Sequence, residues 1–349
     1  MRTGLSGLFR GMLPGVAIDL GTVNTLIAVR GRGIVLKEPS AIAVSTRNER
    51  DILAVGRAAL TMLGRTPGGI RVLYPMRDGV VADHDMCEAM LRFYLKKVLA
   101  RRTPWGAELM LCLPMCVTSV ERKALQEAAR STGINEVRFM EEPLAAALGA
   151  HLPVEEPIGS MIVDIGGGTT DVAVVSLGGI AAAESIRTGG IHIDEAIMEY
   201  VDKAHGLVIG RRTAEDVKRT IGAMSLHDGA CMQIRGRKRE SGLPVSLTVG
   251  AGEIGHAILP VVRHILDAVR KTLADTPPEL AGDVGAQGIV LCGGGAQLKG
   301  LDQLVTAETG VATYVAADPM DCVVLGALRA LSGEGLPMAQ EDFGTVETG

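Results

Sequence analysis

Aromatic side chains are scarce in this 349-residue chain, which carries one Trp, four Tyr and four Phe. The lone Trp105 stands out, because it sits in a polar stretch where no core would want it. An excess of positive charge is missing too: 35 Lys and Arg face 40 Asp and Glu, a net charge of −5. That balance excludes a general nucleic-acid binder. The short basic runs Arg101-Arg102 and Arg235 to Arg239 read as solvated loops. No apolar run reaches the roughly 18 residues of a membrane span, and the N-terminus lacks an unbroken signal-peptide core. The protein is therefore expected to stay in the cytoplasm. Six cysteines, Cys87, Cys112, Cys116, Cys231, Cys292 and Cys322, form no CxxC pair and neighbour no His cluster. They read as buried free thiols of a reducing compartment rather than as metal ligands, which excludes a disulfide scaffold.

What the chain does have is glycine, 45 residues or about 13%, against about 7% in ordinary proteins. Such an excess points to binding loops built from backbone. With 47% hydrophobic and 21% charged residues, the rest is an ordinary soluble globular composition long enough for about two domains. Strands are predicted near 16–20, 25–29, 109–113, 161–165, 171–176 and 288–292. Helices are predicted near 83–100, 119–131, 143–150, 192–205, 213–225, 252–273, 299–308 and 321–332. This alternation is an α/β fold. Residues 33–77 and 184–245 interrupt it and read as smaller subdomains, and the tail 334–349 is expected to be disordered.

The first 14 residues have their own pattern. Leu5, Leu8, Phe9, Met12 and Leu13 share an arc of about 140° on a helix, with Ser6 and Arg10 outside it. Gly4, Gly7 and Gly11 weaken that helix in water, so it is expected to form only against something apolar. A helix docked on its own domain and a membrane-surface anchor both fit.

An internal repeat links two glycine-bearing turns. Ile18 to Val29 aligns with Val163 to Val174 at an offset of 145, with five of twelve positions identical. In both, an apolar strand ends in Asp, turns through small residues and returns as a second strand. Such turns let backbone N–H groups converge on an anion. Gly21, Thr22, Val23, Asn24 and Thr25 form the first loop, and Gly166, Gly167, Gly168, Thr169 and Thr170 the second. Facing each other, the loops would clamp successive phosphates of one nucleotide. Asp19 and Asp164 at the strand ends suit a Mg²⁺ held through its water shell, since that ion gives up water reluctantly. A third cluster, Gly293, Gly294, Gly295 and Ala296, offers bare backbone for a base and sugar, although a plain β-to-α turn fits as well. Glu215 and Lys218 share a helix face, and spacing alone favours a surface ion pair there. Glu142 lies before Pro143 at a helix start, where it either caps the helix or orients a water for attack on a γ-phosphate.

Together these segments resemble the actin-like ATPase superfamily, and within it the MreB family of bacterial actin homologues of cell-shape determination. Asp19 to Thr25 resembles the first phosphate loop, Asp164 to Asp171 the second, and Gly293 to Ala296 the adenosine loop. Lys37-Glu38-Pro39-Ser40, Arg77 to Asp83, Glu141 to Ala147 and Pro277-Pro278-Glu279-Leu280 also read as family segments. The resemblance runs from Gly15 to Gly333. It implies four subdomains around a central cleft: 15–32 with 78–150 and 321–333; 33–77; 151–183 with 246–320; and 184–245. It implies Mg-ATP binding, slow hydrolysis with Glu142 and Thr169 positioning the water, and nucleoside contacts from Glu215 and Lys218. It further implies homopolymer filaments on the inner face of the cytoplasmic membrane, membrane-protein partners of cell-wall elongation, and anchoring through the amphipathic segment 1–14 or an apolar loop at Trp105. Tyr74 to Arg77 and His84 depart from the better-known members, which leaves open a second copy with altered partners.

Two rivals share these motifs. A soluble phosphotransferase of the same fold needs an acceptor pocket with an additional carboxylate, and no motif here supplies one. A nucleotide-gated adaptor would bind ATP without polymerising, and ATP-dependent sedimentation separates it from a filament former.

Overall fold

The apolar runs around the two glycine turns become the innermost strands of two sheets of the same order. The computed structural model describes residues 15–49, 51–66, 68–99, 107–132, 134, 136–224 and 229–333. The amphipathic segment 1–14, Trp105 and the tail 334–349 lie outside the described residues. The chain divides into two compact units, Met1–Pro157 with Ser176–Gly179 and Asp321–Gly349, and Ile158–Val175 with Ile180–Met320.

In the first unit the strands are β1 (Gly15–Leu20), β2 (Asn24–Val29), β3 (Gly33–Pro39), β4 (Ile42–Ser45) and β5 (Ile52–Val55). Helix α1 (Arg57–Met62) follows, then β6 (Ile70–Leu73), β7 (Met76–Arg77), β8 (Val80–Val81) and α2 (His84–Val98). The segment continues through β9 (Glu108–Leu113), α3 (Ser119–Arg130), β10 (Glu136–Glu141) and α4 (Glu142–Gly149). The main sheet runs β10-β9-β1-β2-β3. Strand β1 is antiparallel to β2 and parallel to β9, so it is enclosed on both edges. Helix α2 buries Met86, Met90, Leu91 and Leu95, a helical period against the apolar face of this sheet. Its first turn is capped by Asp83, which accepts from the Met86 amide at 3.1 Å. The last helix among the described residues, Cys322–Leu331, packs on α4 with the backbones nearly touching: a Cβ at Gly326 would overlap the Ala145 carbonyl.

The second unit holds β11 (Ser160–Ile165), β12 (Thr170–Ser176), β13 (Gly179–Ile186), α5 (Gly190–His205), β14 (Leu207–Val208) and α6 (Arg211–Ile221). It continues with β15 (Cys231–Lys238), β16 (Pro244–Gly250), α7 (Ala251–Asp275), α8 (Pro278–Gln287), β17 (Ile289–Cys292), a 3₁₀ turn Gly294–Gln297, α9 (Leu301–Thr309) and β18 (Thr313–Val315). Cys322–Leu331 is α10. The main sheet of this unit runs β13-β12-β11-β17-β18, matching β3-β2-β1-β9-β10 strand for strand. The register matches as well. Asp19 lies opposite Leu26 on β2 and Cys112 on β9, and Asp164 lies opposite Asp171 on β12 and Cys292 on β17. The offset of 145 seen in the sequence is thus an offset between equivalent positions of two sheets.

The six strands and eight helices expected from the sequence all form, with ends shifted by a few residues. Helix α6 stops at Ile221 rather than 225, because the Gly222 amide closes it on the Val217 and Lys218 carbonyls. The interruptions are smaller than expected: β3 and the 184–186 end of β13 belong to the main sheets, while β5-β4-β6 and β14-β15-β16 form the small ones. Helix α8 escaped the periodicity because Gly282 and Gly285 dilute it, although Pro278 opens it as a proline at the first helical position should. Four of the six cysteines are buried free thiols as read, but Cys116 is half-buried and Cys231 is exposed at the start of β15.

Candidate functional site

The first glycine turn closes when the Gly21 amide donates to the Asn24 carbonyl at 3.1 Å. Ser40 then holds it from behind. Its hydroxyl donates to Gly21 O at 2.6 Å and its amide to Val23 O at 2.8 Å. In a trans peptide the carbonyl and the following N–H point opposite ways. Pinning those two carbonyls therefore turns the amides of Thr22 and Asn24 to the other side. The Thr22 hydroxyl accepts from the Gly79 amide at 3.0 Å, which leaves its own proton for a further acceptor.

The second turn repeats the device with different parts. Gly166 N donates to Thr169 O at 2.9 Å, the positional equivalent of the Gly21 bond. Here the first turn of α5 does the pinning, with Gly190 N on Gly166 O at 2.9 Å and Ile191 N on Gly167 O at 2.8 Å. The amides of Gly167 and Gly168 face the opposite side in consequence. Gly189 has to be glycine, since a Cβ there would come within 2.7 Å of Gly166 O.

Two expected donors are spent internally. The single proton of Ser40 goes to Gly21 O, so the 2.8 Å bond between Thr25 and Ser40 is donated by Thr25. The Thr170 hydroxyl donates to Thr188 O at 2.7 Å. Thr25 and Thr170 therefore shape the loops and offer no proton to a ligand.

The carboxylates sit where the strands end. Burial pushes the half-buried Asp19 up to about 7. Asp164 is 6% exposed, and the third glycine cluster packs directly on it. Gly293, at φ +78°, has no room for a Cβ beside Asp164 Oδ1 and Ile165 O, whereas Gly294 has open space around it. The structure thus brings Asp164, the second loop and Gly293 to Ala296 together in one unit. Among the described residues no three His, Cys, Asp or Glu side chains gather as a metal cage. Glu142 is the first residue of α4, followed by Pro143, and is 7% exposed.

Glu215 and Lys218 do not form the surface pair that spacing suggests. Lys218 Nζ instead lies 2.8 Å from Asp194 Oδ1 and donates to Gly190 O at 2.8 Å, both on α5. Desolvation pushes Asp194 up to about 6 in spite of the ammonium beside it. Ser40, Gly79, Gly189, Thr188 and Asp194 were not singled out from the sequence for these contacts. The one local signal was the Gly189-Gly190 pair just before a helix.

Residues 14–336 match the family model described as MreB/Mbl protein. The chain belongs to the MreB/Mbl family. The cell shape-determining protein MreB of Escherichia coli strain K12 is 46% identical over 332 residues, 93% of this chain and 95% of that one. The family fold is also the one seen in MreB5 of Spiroplasma citri bound to AMPPNP, with a TM-score of 0.86 and 39% identity over 90% of this chain and 94% of the other. The same MreB5 bound to ADP gives 0.87 at 38% identity, covering 92% and 98%. A subunit of the MamK double helical filament shares the fold at 21% identity and a TM-score of 0.79, covering 93% and 99%. As an MreB/Mbl chain it has the actin-like α/β architecture. Among its described residues no helix is long and apolar enough to cross a membrane.

Proposed function

We propose that this MreB/Mbl chain binds Mg-ATP, hydrolyses it slowly and polymerises with copies of itself into filaments on the inner face of the cytoplasmic membrane. There it organises cell-wall synthesis with membrane proteins of the elongation machinery. The observation that carries the nucleotide reading is the pinning of loop carbonyls by Ser40 and by the α5 amides, which leaves both loops presenting N–H groups to an anion. MreB5, bound to AMPPNP or ADP in its structures, supports the same reading.

The residue roles follow the sequence expectation with two changes. Within Gly21 to Asn24 the amides of Thr22 and Asn24, and within Gly166 to Thr169 the amides of Gly167 and Gly168, receive phosphate oxygens, while the Gly21 and Gly166 amides close the turns and Thr25 and Thr170 hold the loops in shape. Gly293 to Ala296 with Glu215 and Lys218 take the nucleoside. Asp19 and Asp164 suit a hydrated Mg²⁺, because a half-buried carboxyl pushed up to about 7 gains most from a nearby cation. That ion supplies charge neutralisation of the phosphates. Glu142, a buried carboxylate fixed at a helix start, orients the attacking water with Thr169.

Membrane residence belongs to residues 1–14 and Trp105. Burying five apolar side chains partially yields about 5 to 8 kcal/mol, and ordering a dozen residues offsets much of it. One subunit then binds weakly and a polymer binds through avidity. Co-sedimentation of the purified protein with anionic liposomes, with and without Mg-ATP, tests the whole reading when the pellet is examined by electron microscopy. Filaments lying on lipid are the expected result. A protein that stays in the supernatant while hydrolysing ATP would replace it with the phosphotransferase or adaptor reading.

A further inference from the structure

Lys218 is held more firmly than a simple ligand contact requires. Of the three N–H donors of its ammonium one goes to Gly190 O at 2.8 Å, and the ammonium nitrogen forms an ion pair with Asp194 Oδ1 at 2.8 Å. The lysine side chain keeps 20% of its surface exposed while that of Asp194 keeps 6%. A Cβ at Gly190 would lie 3.3 Å from Lys218 Nζ and 3.6 Å from Gly166 O, so the ammonium stands beside the backbone of the second loop.

The place is electrostatically awkward for a cation. The first turn of a helix carries partial positive charge, and α5 begins at Gly190. Without a counterion the lysine would swing to solvent, since its long stem has ample rotamer freedom there. Asp194, one turn into the same helix, prevents this at the expense of burying a carboxylate. Stability alone gives little reason for that burial, because a buried ion pair is often no better than apolar residues of the same volume.

We propose that Asp194 is a positioning residue: through the ion pair it fixes the Lys218 ammonium against the second loop so that an N–H not given to Gly190 donates to an oxygen of the bound nucleotide. The inference rests on the nucleotide-binding reading above. Asp194 touches no ligand itself and acts through Lys218.

A double-mutant cycle on the full chain tests it. Mg-ATP is titrated into the unsubstituted protein, Asp194→Asn, Lys218→Met and the double variant, with thermal melts as a check on folding. Asp194→Asn, nearly isosteric, is expected to weaken binding about tenfold. Lys218→Met should weaken it at least as much, and the double variant no more than Lys218→Met alone. In turnover, Asp194→Asn should raise KM and leave kcat within about twofold, because the contact is made equally in ground and transition states. Additive losses, or wild-type affinity in Asp194→Asn with an intact melt, would overturn the proposal. Should Lys218→Met fail to fold, Lys218→Gln replaces it in the cycle. An unsubstituted chain that binds no Mg-ATP would instead sink the nucleotide reading and this inference with it, which separates the two failures.

Discussion

Ser40 Oγ lies 2.6 Å from the carbonyl oxygen of Gly21, and that bond stands across the chain from the turn it controls. The hydroxyl sits between β3 and β4, donates to the first loop, and accepts in turn from Thr25. Replacing it by Ala frees the Gly21 carbonyl and strands the Thr25 proton. Ser40→Ala is expected to weaken Mg-ATP binding about tenfold, or about 1.4 kcal/mol, in a titration, while Ser40→Thr keeps most of it.

Asp19 gives the protein a pH signature. Its carboxyl is held up to about 7 against an ordinary value of 3.8, so the folded state binds the proton more tightly than the unfolded one. Stability contributed by the protonated form is present below pH 3.8 and is lost as pH rises through 7. Asp19→Asn should therefore melt higher than the wild type at pH 8, with the gap closing toward pH 4. Adding Mg²⁺ at pH 8 should raise the melting temperature of the wild type and leave the variant unmoved.

Glu142 and the helix behind it separate binding from hydrolysis. Glu142→Ala is expected to keep ATP affinity within about threefold and to lower phosphate release at least about tenfold in a single-turnover assay. Gly326→Ala pushes α10 off the Ala145 carbonyl, and the strain of overpacking should cost about 1 to 3 kcal/mol in denaturant unfolding.

Leu177 sits at φ +50° beside Gly178 at φ +73°, in the turn between β12 and β13, with 63% of its surface exposed. A leucine there buries the smaller part of its surface and carries left-handed strain. Leu177→Asn is expected to stabilise the protein by about 0.5 to 1 kcal/mol, read as a higher urea midpoint with an unchanged slope.

The amphipathic segment allows a clean dissection. Leu8→Glu with Phe9→Glu should abolish pelleting with anionic liposomes and leave ATP titration curves superimposable on those of the wild type. Retained pelleting would sink the anchor model.

The legible part of this molecule was whatever repeats or carries a strict period. The strand-Asp-turn-strand pattern at Asp19 and Asp164 announced two equivalent hairpins, and the strand order and register of both sheets agree with it. Helix α2 was visible because its apolar positions recur every three to four residues. Strand β10 was not, since Glu136, Arg138 and Glu141 dress it as a polar segment and only Met140 is buried. The site was legible as loops but not as the parts that hold them. Ser40 lies 19 residues from Gly21 and Asp194 lies 24 from Lys218, and spacings of that kind carry no period. Hydroxyl direction was invisible too: Thr25 and Thr170 look like ligand donors in the sequence, and each turns its proton inward.

The two glycine turns also differ in how inheritance can touch them. In the first, the pin on Gly21 is a side chain, and a single codon change at Ser40 removes it. In the second, both pins are main-chain amides at the head of α5, which every residue except proline supplies. Drift among descendants of this chain should therefore loosen the first loop by removing a hydroxyl at Ser40, whereas the second is loosened by adding bulk, at Gly189, where any Cβ would push the head of α5 off Gly166 O.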